Sequence, residues 1–159
     1  RSKPLRHLRL EQIDGDVWTV PEGDMKGQKG KAAAYRVPLC EEAQRIIELA
    51  LPHARNGYLF PNTREGVIND MTLSRLMERR GLQARPHGFR TSLRTWLAET
   101  TDAPHEVAEA MLSHATDSGV VRAYRRTDFL EQRMALTERW ADYVTGGAGQ
   151  VVQLVGATK

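Results

Sequence analysis

Residues 85–99 read RPHGFRTSLRTWLAE, and this stretch organises the rest of the chain. Pro86 suits a helix entrance, where a missing N–H costs nothing because the first-turn donors have no intrahelical acceptor. From His87 to Glu99 the residues Phe89, Leu93, Trp96 and Leu97 recur at helical spacing, which predicts them as the buried face. The same period places His87 and Arg90 on one side of the helix. Taken alone, a histidine and an arginine so spaced are more often structural than functional.

Downstream, Pro104 opens another helix, with Val107, Ala108, Met111 and Leu112 as its apolar stripe. A short helix is expected around Val120–Tyr124 and a longer one over Asp128–Val144. Upstream, Asn69 or Asp70 caps a helix running through Leu73, Leu76 and Met77 to Gly81. Glu41–Leu51 is predicted helical, with Ala43, Ile46, Ile47 and Ala50 on one face and Pro52 ending it. Before these helices the pattern is that of strands. Val17-Trp18-Thr19-Val20 and Tyr35-Arg36-Val37-Pro38-Leu39 flank a polar, Gly/Lys-rich segment, as in a β-hairpin with a long flexible tip. Pro38 puts the second strand's end there or at a sheet edge. The fold class is therefore α+β, a mostly helical domain with a small antiparallel β-sheet.

The chain has 159 residues, 40% hydrophobic and 27% charged, which suits one domain with a real core and argues against wholesale disorder. That domain is expected over residues 1–145. Residues 146–159 follow as a glycine linker and the strand-like run Val151–Val155. Because the first residue is Arg1 and not methionine, the chain is expected to be a fragment whose upstream part is missing. Cys40 is the single cysteine, which excludes an intrachain disulfide and a cysteine-based zinc site and suits a reducing compartment. No apolar run approaches the roughly 20 residues that span a bilayer, and no signal-peptide pattern opens the chain.

The net charge of +3 is too modest to name a partner. Its distribution is more informative. Arg75, Arg79, Arg80, Arg85, Arg90 and Arg94 face the single acid Glu78 between positions 75 and 94, and Arg122, Arg125 and Arg126 form a second knot. Arginine's planar fork of donors is favoured where phosphate is gripped, although any one of these residues reads equally as a solvated surface charge.

Three motifs taken together go further. His87-Gly88-Phe89-Arg90, then Leu112-Ser113-His114, then Arg122-Ala123-Tyr124 stand in an order and spacing that resembles the catalytic domain of tyrosine recombinases, the phage-type integrases. The stretches RPHGFRTSLRTWLAE and RAYRRTDFLEQRMALTERWADYV are similar to the prophage and integrative-element branch. YRVPLC and YLFPNTREG fit the family's intervening segments. The resemblance implies catalytic roles for Arg1, Lys26, His87, Arg90, His114 and Tyr124, with Tyr124 the nucleophile. Arg1 is placed by Ile13-Asp14, because the family's first arginine stands shortly before an I-D pair; Pro4 occupies a position where the family usually has an acid. Lys26 is placed by Met25-Lys26, with Lys29 and Lys31 as rivals. Ser113 replaces the family's usual glycine.

This chemistry has a physical rationale. A phenol of pKa near ~10 is a weak nucleophile until it loses its proton. Attack on a phosphodiester adds charge to the non-bridging oxygens, which Arg1, Arg90 and His114 would meet with hydrogen bonds. His87 would serve as base or proton relay, and Lys26 as the acid for the departing 5′-oxygen. No cofactor and no metal are expected. The resemblance further implies double-stranded DNA at attachment sites as partner and action in the cytoplasm on chromosomal DNA. It implies a homotetramer on DNA, with a monomer as the alternative for the isolated fragment, and exchange of the carboxyl-terminal tail between neighbours. Two other readings stay open at this point: an inactive DNA-binding remnant, and a type IB topoisomerase-like strand transferase. Met111, Leu112, Trp96 and Trp140 read as core.

Overall fold

Val17–Val20 and Tyr35–Pro38 pair antiparallel, with Trp18 opposite Val37 and Val20 opposite Tyr35. The computed structural model describes residues 1–25, 33–113 and 127–146. A two-residue strand joins the expected hairpin, so that the sheet runs β1 (Ile13–Asp14), β2 (Val17–Val20), β3 (Tyr35–Pro38) in that order. Gly15 makes the tight β1–β2 connection, with its φ of 56° in the left-handed region that glycine enters without a Cβ penalty. Alternation sends Trp18 and Val20 inward while Thr19 faces out.

The described helices are α1 (Ser2–Arg6), α2 (Glu41–Ala50), α3 (Thr72–Arg79), α4 (Gly88–Thr100), α5 (His105–Met111) and α6 (Leu130–Thr145). Their boundaries follow the sequence signals except at α3, whose N-cap is Met71 rather than Asn69 or Asp70 and carries no side-chain cap bond. Pro52 lies in a single 3₁₀ turn that ends α2. The Asn69 carboxamide oxygen accepts a hydrogen bond from the Met71 N–H at 2.8 Å ahead of α3. Pro104 is the N-cap of α5. Gly81 and Gly146 take left-handed conformations just past α3 and α6.

Two apolar clusters hold these elements. One gathers Leu8, Trp18, Val20, Leu39 and Leu59, with Ala43, Ile47 and Ala50 of α2 packed on it. The other gathers Trp96, Leu97, Val107, Ala108 and Leu136 from α4, α5 and α6, flanked by Trp140 and Met111. Two expected core positions differ. Phe89 is 61% exposed and Ile46 45% exposed. Phe89 lies in the first turn of α4, and the second cluster takes up that helix only from Leu93 onward. Ile46 lies beside the buried edge of α2, where Ala43, Ile47 and Ala50 already complete the contact. The expected helix around Val120–Tyr124, the hairpin tip over 26–32 and the tail Val151–Val155 lie outside the described residues.

Candidate active site

The H-x-x-R unit sits at the start of α4. His87 is the N-cap residue and is exposed, and its carbonyl accepts the Arg90 N–H at 3.1 Å. Arg90 is half-buried and reaches across to α5, where its Nη2 donates to the Leu112 carbonyl at 2.7 Å. That carbonyl belongs to the C-cap of α5, one of the groups a helix end leaves without an intrahelical donor, and a cation is well placed there against the helix dipole. The bond fixes the α4 entrance to the turn immediately before Ser113 and His114.

Arg1 precedes α1 and is exposed. Burial lowers the pKa of the Arg90 guanidinium below its ordinary value, and the positive charge at Arg1 lowers it further. His87, Arg90 and Arg1 are the expected site residues that the structure describes. Lys26, with its rivals Lys29 and Lys31, and His114 and Tyr124 lie outside the described residues, as do Arg122, Arg125 and Arg126. Their chain neighbours are described: Met25, which packs on the first core cluster, Ser113 after α5, and Thr127 before α6.

The remaining arginines divide by role. Arg94, one turn past Arg90, forms an ion pair with Glu109 of α5, whose residue is buried. Arg85 pairs with Glu78 at 3.3 Å and donates to the carbonyls of Leu82, Gln83 and Ala84. Arg75, Arg79 and Arg80 stand exposed along and just past α3.

Ser113 has a φ of 51°, in the left-handed region. This explains why a glycine suits the position: a Cβ there crowds the following carbonyl at a cost of roughly 1–2 kcal/mol, partly offset by glycine's larger entropy loss on folding. Ser113→Gly is therefore expected to stabilise the protein by about 1 kcal/mol, read as a higher denaturation midpoint at unchanged denaturant slope. A lower midpoint would mean that the serine side chain contributes more than its backbone strain.

A polar network outside the expected site residues joins β3, α5 and α6. Tyr35 of β3 donates its hydroxyl to the Ala110 carbonyl at 2.6 Å, with the Met111 carbonyl 3.2 Å away. Burial raises the Tyr35 pKa and outweighs the lowering by Arg133 and Arg90, so the phenol remains a neutral donor. The next residue, Arg36, grips Asp128 with two bonds of 2.9 and 2.8 Å. Burial pushes the Asp128 carboxyl up, but the Arg36 bonds and the charges of Arg133 and Arg36 prevail and hold it below the usual carboxylate range. Arg133 of α6 is 1% exposed, stacks over the Tyr35 ring at 4.9 Å and donates to the Arg36 carbonyl at 2.8 Å. One signal for it was present in the sequence. Phe129, Arg133, Leu136 and Trp140 fall on one helical stripe, so a charge occupies a core position.

The sequence model of the phage integrase family matches residues 1–131. The chain belongs to the phage integrase family. The resemblance to tyrosine recombinases read from its motifs is borne out. The chain is 32% identical over 160 residues to the prophage integrase IntA of Escherichia coli K12, covering 96% of this chain and 38% of that protein. It is 22% identical over 148 residues to the integrase of Shigella phage Sf6, covering 91% of this chain and again 38% of the relative. The chain thus spans little more than a third of the length of these relatives. Among solved structures, the XerA recombinase superposes with a TM-score of 0.53 at 20% identity, over 87% of this chain and 53% of that one. At that identity the likeness speaks to the fold: a mostly helical domain with a small antiparallel sheet. Among the described residues, no helix of this integrase-family chain is long and apolar enough to cross a membrane.

Proposed function

We propose that this integrase-family chain carries the catalytic machinery of a site-specific DNA recombinase, which integrates or excises a mobile element by breaking and rejoining strands through a 3′-phosphotyrosine intermediate. The observation that carries this reading is the placement of Arg90. It stands at the α4 entrance with His87 and is bonded to the carbonyl that leads into Ser113-His114.

In this mechanism the Tyr124 phenolic oxygen attacks the scissile phosphorus. The new bond joins phosphorus to the tyrosine oxygen, and the bond to the 5′-oxygen breaks. The phenolic proton passes to His87 or through it to water, and Lys26 gives a proton to the departing 5′-oxygen. Arg1, Arg90 and His114 hydrogen-bond the non-bridging oxygens as charge builds there. The phosphotyrosyl bond keeps the energy of the broken linkage, so the reverse attack by a new 5′-hydroxyl needs no nucleotide. The partner is double-stranded DNA carrying attachment sites. The assembly on DNA is a homotetramer in which the carboxyl-terminal tail, residues 146–159, passes between neighbours.

A DNA duplex nicked beside the scissile phosphate tests the reaction, because the short 5′-fragment diffuses away and traps the covalent adduct. Adduct formation is the expected result. DNA that is retarded but never cleaved would instead identify an inactive, DNA-binding remnant. Adduct formation is also expected to continue undiminished in EDTA, since arginines meet the developing charge. Loss of adduct on chelation, restored by Mg²⁺, would overturn the mechanism.

A further inference from the structure

We propose that Tyr35 and Arg36 of β3 are positioning residues for strand cleavage, holding in register the two chain ends from which His114 and Tyr124 depart. The inference rests on the recombinase reading above.

Two neighbouring residues of one strand grip both ends of the stretch that bears the two side chains. Tyr35 bonds the last turn of α5 at Ala110, four residues before His114. Arg36 bonds Asp128, four residues after Tyr124. Adjacent strand residues project to opposite faces, so a single step of β3 serves both contacts. Four residues span at most about 14 Å, so each anchor limits how far its side chain can lie from it. Misplacement of a reacting group by about 1 Å can lower a rate about a hundredfold.

Stability alone accounts poorly for this arrangement. The Arg36 and Asp128 side chains are 51% and 39% exposed, and exposed pairs of this kind contribute little to folding. Among the described residues, the buried Arg133 that backs them has no hydrogen-bond partner at Nε or Nη1. A buried guanidinium is a costly way to fill interior space compared with an apolar side chain. What Arg133 provides and leucine would not is a rigid link: it donates to the Arg36 carbonyl, lies 3.4 Å from the Asp128 carboxylate and covers the Tyr35 ring.

The test uses the whole protein with Tyr35→Phe, Arg36→Ala and Arg36→Lys; Tyr35→Phe keeps the ring under Arg133 and removes only the hydroxyl. Three quantities are read: the single-turnover rate of adduct formation at saturating nicked DNA, the DNA concentration giving half that rate, and the thermal midpoint. Tyr35→Phe and Arg36→Ala are expected to slow adduct formation by about ten- to a hundredfold. Half-saturation should shift less than about twofold and the midpoint by a few degrees at most, as for loss of one hydrogen bond or one exposed ion pair. Arg36→Lys should recover part of the rate lost in Arg36→Ala. Unchanged rates, or losses that merely follow DNA affinity or the folded fraction, would overturn the inference. An unsubstituted protein that forms no adduct would overturn the recombinase reading, and this inference with it. Normal adduct formation by the unsubstituted protein and by all three variants would overturn the positioning role alone.

Discussion

Tyr124→Phe is expected to eliminate the covalent adduct with nicked DNA, a fall on the order of 10⁴-fold or more, while DNA affinity stays nearly unchanged. The substitution removes one oxygen, the atom that bonds to phosphorus, and keeps the ring. Gel electrophoresis of the trapped complex measures it directly. If the phenylalanine variant still becomes linked to DNA, another phenol is the nucleophile. Tyr143 is then the next to test, since it is 57% exposed. Its ring nonetheless stacks on Trp140 with centroids 5.6 Å apart and lies 6.1 Å from Trp96, which marks it as part of the helix packing. Tyr35 is a weaker rival, because its hydroxyl is committed to the Ala110 carbonyl and burial raises its pKa.

Arg90→Ala should lower the rate of adduct formation by about 10²–10³-fold, the loss of one preorganised donor to the charge of the transition state. Two effects add at this residue. The donor to phosphate disappears, and so does the bond to the Leu112 carbonyl that ties α4 to the end of α5. Arg90→Lys keeps the charge but not the planar fork, and little of the activity should return. The single-turnover rate at saturating DNA is the measurement that decides it. A change confined to DNA affinity, with the rate intact, would show that Arg90 binds substrate without favouring the transition state.

Much of the architecture was legible because local chemistry dictated it. Pro52, Pro104, Gly81 and Gly146 bound helices where their φ preferences require. The strands at Val17–Val20 and Tyr35–Pro38 follow from β-branched and aromatic residues on either side of a polar stretch. Phe89 shows where such reasoning stops. Its spacing with Leu93, Trp96 and Leu97 marks the apolar side of a helix, but periodicity does not say how far along that side another element extends. Strand β1 escaped notice because two residues carry no period; its pairing with β2 comes from the turn at Gly15.

By itself the sequence determined the fold class, the family and the chemical inventory: H-x-x-R at His87 and Arg90, the turn before His114, and a tyrosine at 124. These are properties of residue type and spacing along one chain, and spacing is what a sequence records. Only the tertiary structure decided that Arg90 reaches the Leu112 carbonyl and that Tyr35, Arg36, Asp128 and Arg133 form one network. Those contacts join residues far apart in sequence, and they depend on the angles at which α4, α5, α6 and β3 pack. No local propensity encodes those angles. They are settled when the two apolar clusters close, and the polar groups left between them must then find partners or remain buried without them.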